Sequence, residues 1–349
     1  MKKYYLSKNY VNLSNAGNKA KTDIEFILLN RGFTNIGLRQ TCIKNELSGF
    51  ILTLMGVLKA CISISEGSWL VLQYPLKKYF LFICKFARLR GGKVITIIHD
   101  LGSFRKGRLT VSQEIKRLNN ANCLIVHNKK MESWLKEHGS TSTISCLEIF
   151  DYLSEKSPKK IIDADPSFNI IYAGALSYKK NAFLYKLEEY VRNFKFTLYG
   201  SGFDKELLRG NINYNYKGFV PSDELIATAD GHFGLVWDGD SISCCSGIFG
   251  EYLKYNNPHK TSLYIRCHLP IIIWSEAALA DFVKDNNIGI CIDSLEQIND
   301  ILSGLSKEEY DAMRSNVVEI SRKLSQGYYV SKALGEVFCK VGEGELIKV

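Results

Sequence analysis

At 349 residues the chain is long enough for two α/β domains, each with its own core. With 46% hydrophobic and 23% charged residues, and no repeat or low-complexity run, it is neither fibrous nor disordered. Its net charge of +9 hides two unlike halves: residues 1–150 carry 23 Lys and Arg against 9 Asp and Glu, the remainder 22 against 27, so the first half seeks an acidic partner.

The first half alternates strand and helix. A basic start without an apolar signal core argues against secretion and for a cytoplasmic protein. Residues 3–6 read as a strand and 19–30 as an amphipathic helix stopped by Gly32. Residues 50–65 form the most apolar stretch. It carries Lys59 and is shorter than a membrane span, so a buried helix is expected. Strands are predicted over 69–73, 93–98, 122–127 and 142–146, the second as a β-branched run of the kind found in buried parallel sheets. The helix predicted over 76–90 mixes aromatic, apolar and basic residues, and two readings fit it: a core helix with a solvated basic face, or a helix on an anionic membrane.

A polar run with two prolines over 154–166 reads as the linker between domains 1–153 and 167–306. The alternation then restarts, with strands predicted over 168–173, 196–199, 213–216, 233–237, 271–274 and 288–292 and a helical tail over 307–340. Alternation twice over predicts an α/β chain of two doubly wound domains.

Several motifs carry chemistry. The helix expected to open near Asn257-Pro258 places His259, Lys260, Thr261 and Ser262 beside its positive end, a pattern suited to phosphate or diphosphate. Asn15-Ala16-Gly17-Asn18-Lys19 could bring backbone N–H groups to a substrate or be a plain loop; it lacks the GxxxxGK[ST] pattern. Lys179 and Lys180 follow the first strand of the second half and can reach an anion there. His99 and Asp100 end a buried strand where ligands of open sheets bind; either can be a base, and a lone His there can equally be structural. In Trp237-Asp238-Gly239-Asp240-Ser241 the two acids could bind a cation or simply make a turn. The ten cysteines show no CxxC and no metal-ligand spacing, which fits free thiols and no metal. No RNA-binding motif or basic–aromatic repeat is present, so nucleic acid is not an expected partner.

FGLVWDGDS (233–241), FGEYLKYNNPHKTSLY (249–264), AALADFV (277–283) and NNIG (286–289) resemble the C-terminal signature of bacterial β-1,6-galactofuranosyltransferases. Thinner similarity in IIHD (97–100), EIFDYL (148–153) and IYAGALS (171–177) extends the resemblance over most of the chain. It implies a GT-B fold, two Rossmann-like doubly wound domains facing a central cleft, with a C-terminal segment 307–349 crossing back to the first domain. It also implies transfer of galactofuranose from a UDP-sugar donor to a sugar hydroxyl with inversion, in surface polysaccharide or glycan synthesis. The diphosphate would meet the helix at Pro258, Lys260 and Lys179 or Lys180 without a metal cofactor. Tyr178 stands where the family often has arginine. Phe219 and Val220 would flank the nucleobase, with Phe219 in the core as the other reading; His99, Asp100 or Asp238 would supply the base. The acceptor would be a glycan or lipid-linked glycan, with peripheral membrane contact and self-association as further partner expectations. A UDP-glucose-dependent glucosyltransferase and a non-catalytic UDP-sugar-binding subunit are the alternatives.

Overall fold

The computed structural model describes residues 1–10, 16–76, 79–105, 107, 109–159, 167–208, 210 and 214–342. It divides into two compact units, Met1–Asp151 with Gly327–Val349, and Tyr152–Gln326.

In the first unit six parallel strands, β1 (Lys3–Tyr5), β2 (Thr34–Asn35), β3 (Trp69–Tyr74), β4 (Lys93–Ile98), β5 (Cys123–Val126) and β6 (Thr143–Cys146), run in the order β2-β1-β3-β4-β5-β6. Every residue of β3, and all of β4 but Lys93, is buried, which explains their nearly unbroken apolar character. Two-residue β2 carries too little pattern to be read from sequence. The chain reverses direction across the sheet between β1 and β3. Beside that reversal Glu25, on the helix Ala16–Asn30, is buried and accepts hydrogen bonds from Ser7 Oγ (2.7 Å) and the Tyr10 hydroxyl.

The second unit repeats the design with β7 (Asn169–Ala175), β8 (Lys195–Ser201), β9 (Tyr214–Gly218), β10 (Phe233–Val236), β11 (Ile271–Trp274) and β12 (Gly289–Ile292). All are parallel, in the order β12-β11-β10-β7-β8-β9. This is the dinucleotide-fold order, and its reversal point lies between β7 and β10. The first sheet instead follows the flavodoxin-like pattern, so the two units are related in architecture and not in winding.

Three expectations are corrected. Residues 154–159 of the expected linker belong to the second unit: Tyr152 is buried, and Arg266 donates to the carbonyl oxygen of Ser154 (3.1 Å). Residues 160–166 lie outside the described residues. The tail does not leave the second domain at 307. The helix Lys307–Ser325 stays with the second unit, where Arg266 holds Ser321 Oγ at 2.8 Å, and the helix Tyr328–Lys340 belongs to the first.

The break falls at Gly327, whose φ of 69° favours glycine, and any Cβ there would lie 2.6 Å from Ile27 Cγ1. Asp151 then accepts the backbone N–H groups of Tyr329 (3.1 Å) and Val330 (2.7 Å), fastening the start of the last helix to the first unit. Finally, the apolar stretch expected to be buried forms the helix Glu46–Ser63 and exposes Leu47, Phe50, Ile51, Met55, Leu58 and Ile62. Among the described residues no helix is long and apolar enough to cross a membrane.

Burial raises the Glu25 carboxyl to about 7, opposed by the Tyr10 and Ser7 hydrogen bonds. An unfolded glutamate titrates near ~4.3, so between these values the native state holds the extra proton. The stability linked to this proton is complete below the unfolded value and disappears as pH rises through about 7. Glu25→Gln should therefore remove ~3 kcal/mol of pH-dependent change across this window. Urea titrations of both proteins at about pH 5 and about pH 8 check this; parallel profiles would contradict it.

Candidate active site

The reversal point of the second sheet gathers the residues with chemistry. Tyr172 comes from β7, Asp238 follows β10, and Lys260 sits in the first turn of the helix His259–Arg266. Lys260 Nζ donates to Asp238 Oδ1 (3.0 Å), the Tyr172 hydroxyl oxygen (3.1 Å) and the Trp237 carbonyl (3.2 Å). The Tyr172 hydroxyl in turn donates to Asp238 Oδ1 (3.1 Å). An ammonium has three N–H donors, and here all three meet a protein acceptor. Side-chain exposure is only 13% for Lys260 and 11% for Asp238.

Burial pushes the Asp238 carboxyl up, but the ammonium groups of Lys260 and Lys180 and the hydrogen bonds outweigh it, holding the acid below its usual range. Burial also draws the Lys260 ammonium below its ordinary value, with Asp238 opposing and the like charge of Lys180 adding to the effect. The pair is therefore ionised and internally neutral, and Lys180 supplies the surplus positive charge. Its Nζ also lies 5.2 Å from the centre of the Phe249 ring.

The surrounding loops are stiffened from within. Asn181, fully buried, donates to the carbonyl oxygen of Ala175 (2.7 Å) and accepts from Gly239 N (3.2 Å), tying the loop after β7 to that after β10. Trp237 Nε1 donates to the carbonyl oxygen of Ser241 (2.9 Å), and Ser246 Oγ bonds Asp240. Gly239, at φ 113°, has no room for a Cβ, which would lie 2.1 Å from the Ser246 carbonyl oxygen. The two acids of WDGDS thus serve separate networks, one on Lys260 and one on Ser246. Among the described residues no cluster of three or more His, Cys, Asp or Glu could hold a metal ion.

The other sequence-derived residues distribute unevenly. Pro258 is the N-cap and extended, so the helix begins after it and not with it; it supplies no side-chain cap. His259 stacks on Tyr152, with ring centres 4.7 Å apart. Asn257 is buried, and Thr261 is wholly buried, its backbone N–H given to the Pro258 carbonyl (3.0 Å) and its hydroxyl without a hydrogen-bond partner among the described residues. Lys179 is exposed. Phe219, 58% exposed after β9, is not a core residue, and Val220 is half-buried. Asp238 is engaged by an ammonium and a hydroxyl, which makes it a weak base. Tyr172 and Asn181 were not foreseen. A tyrosine inside an otherwise apolar strand was the available signal, since a buried hydroxyl needs a partner.

In the first unit His99 and Asp100 follow β4. His99 is buried, its Nε2 is 2.7 Å from Gln73 Oε1, and its ring stacks on Phe150. Asp100 is half-buried. Glu114 holds the next turn by accepting from Gly102 N (2.8 Å) and Ser103 N (2.9 Å). Gly17 lies in the first turn of the helix Ala16–Asn30, and Asn15 lies outside the described residues.

Two parallel, doubly wound units in one chain are the architecture of the GT-B class. Family models for the glucosyltransferase 3-like N-terminal and C-terminal domains match residues 3–149 and 170–337, and the chain belongs to that family. It is 36% identical over 269 residues to the β-1,6-galactofuranosyltransferase WbbI of Escherichia coli strain K12, covering 77% of this chain and 78% of that protein. Glucosyltransferase 3 of Streptococcus gordonii is 26% identical over 266 residues, covering 74% and 75%. The fold is shared with Anabaena HepE in complex with UDP (TM-score 0.59, 11% identity, 97% of this chain and 100% of that chain). It is also shared with the lipopolysaccharide outer core galactosyltransferase WaaB (TM-score 0.58, 11% identity, 97% and 100%).

Breaking a buried ion pair from one side costs more than replacing both partners. Lys260→Met should lower unfolding stability by ~3 kcal/mol, whereas Lys260→Met with Asp238→Asn should recover most of that loss. Denaturant titration of both single variants and the double variant measures this; a double loss equal to the sum of the two single losses would show that the two charges act independently.

Proposed function

We propose that the enzyme transfers galactofuranose from UDP-galactofuranose to a sugar hydroxyl, forming a β-linkage with inversion. The 36% identity to a galactofuranosyltransferase over 77% of the chain supports the sugar. The observation that carries donor binding is the ammonium of Lys180, on the loop after β7, beside the ionised Lys260–Asp238 pair at the sheet reversal. Lys260, expected from sequence to meet the diphosphate, bonds Asp238, Tyr172 and the Trp237 carbonyl and so helps to hold the 237–241 loop.

Inversion takes one displacement at the anomeric carbon. A base removes the acceptor hydroxyl proton, the new C–O bond forms, and the bond to UDP breaks with its electron pair leaving on the diphosphate. Lys180 and the positive end of the helix then stabilise the developing charge. Asp100 is the candidate base, with His99, braced by Gln73 and Phe150, as a positioning neighbour. The acceptor is a glycan or lipid-linked glycan. In this reading lysine and helix neutralise the charge, and transfer proceeds without a metal. UDP-glucose is the second donor to test, given the 26% identity to a glucosyltransferase.

Wild-type protein incubated with UDP-galactofuranose or UDP-glucose and a panel of hexoside acceptors should release UDP fastest with the galactofuranose donor, and EDTA should not stop it. Preference for UDP-glucose would replace the donor assignment, and UDP-sugar binding without any turnover would favour a regulatory subunit. Lys180→Ala should weaken UDP binding ~10-fold in calorimetry without changing thermal stability. Asp100→Asn should lower kcat ~10²-fold with little change in UDP affinity. Full activity in that variant would move the base elsewhere.

A further inference from the structure

The helix Glu46–Ser63 is amphipathic in the wrong sense for a soluble core. Gly56, Val57, Ala60 and Cys61 face inward, and larger apolar residues face out. Leu47, Ile51, Met55, Leu58 and Ile62 recur at helical spacing, forming one outward stripe along its whole length. Their exposures run from 46% at Ile51 to 82% at Ile62, where stray surface apolar residues would be isolated.

The neighbouring helix Tyr79–Leu89 continues the surface. It buries Phe80, Ile83, Cys84 and Ala87 and exposes Phe82 and Leu89, with Lys85 and Arg88 also exposed. The helices meet where the rings of Phe50 and Tyr79 lie 6.2 Å apart. Residues 38–92 include eight Lys or Arg, two Glu and no Asp. Glu66, just beyond the first helix, is the exposed acid among the described residues of that span. Apolar side chains on one face with a basic margin are the composition of a helix lying in a lipid interface.

We infer that these two helices seat the first unit on an anionic phospholipid surface, with the apolar stripe entering the headgroup boundary and Lys85, Arg88 and Arg90 meeting lipid phosphates. Charge selects this occupant over a second copy of the chain. Two such faces would oppose like basic margins, whereas anionic lipid complements them. The inference goes beyond the proposed reaction and holds whichever sugar is transferred.

The test is co-sedimentation of full-length protein with vesicles of phosphatidylcholine alone or with about a quarter phosphatidylglycerol. Binding is expected only to the anionic vesicles and should weaken as salt rises. Met55→Ser with Leu58→Ser, and separately Lys85→Glu with Arg88→Glu, should each reduce it ~10-fold or more while UDP release from the donor with a soluble acceptor is unchanged. All four positions are exposed, and unchanged melting of the variants confirms folding. No binding of the wild-type protein to anionic vesicles overturns the inference. So does light scattering that shows an oligomer disrupted by Met55→Ser with Leu58→Ser while vesicle binding persists; the face would then join copies of this chain.

Discussion

Much of the second unit is arranged around one buried ammonium. Lys260 can be carried at the sheet reversal only because Asp238, Tyr172 and the Trp237 carbonyl take all three of its protons. Each partner is fixed by something else: Tyr172 by its place in β7, Trp237 through its indole bond to Ser241, and Asp238 by a loop whose Gly239 admits no side chain. The loops after β7 and β10 are therefore set before any ligand arrives, with Asn181 as the stitch between them. Preorganisation of this kind is what an electrostatic site requires, because dipoles that need not reorient keep their full effect.

The first unit depends on a different device. The chain returns to it through Gly327, packed so closely on Ile27 that a methyl group would collide. Asp151 immediately takes the first N–H groups of the new helix. A carboxylate at a helix start is favourable, yet burial raises the Asp151 carboxyl to about 7 despite those two hydrogen bonds. The same residue ends the first stretch of the first unit in sequence, so the entry and exit of the chain are joined at one side chain. Arg266 performs the corresponding task in the second unit, bonding Ser321 of the tail helix and the carbonyl oxygen of Ser154.

The strands and their grouping into two sheets were legible in the sequence, because fully buried parallel strands are continuous apolar runs bounded by polar turns. The division of the tail was not: a helical pattern persists on both sides of residue 327, and the left-handed backbone there and the approach of Ile27 appear only in three dimensions. Lys260 at the start of a helix after Pro258 was legible in the sequence, and its bonds to Asp238 and Tyr172 were not. Lys260 and Thr261 are consecutive, so their side chains leave the helix about 100° apart. One turns to Asp238 and the other into the core. Pairing between side chains distant in sequence, such as Tyr172 with Asp238, leaves no periodic trace. It is then invisible to pattern reading.

The helix Glu46–Ser63 shows the other limit of periodicity. A stripe of apolar residues fixes that a face exists and says nothing about what covers it. Here both faces are apolar, the inner one with small residues that let the helix approach its own unit and the outer one with large residues. Size separates them: close helix packing suits Gly56 and Ala60, while bulky side chains such as Met55 and Leu58 offer area to an outside phase. Charge then narrows the identity of that phase. Residues 38–92 carry eight Lys or Arg against two Glu and no Asp, so acids are scarce along this surface. Apolar area supplies attraction without direction, and the basic margin restricts it to a surface of opposite sign.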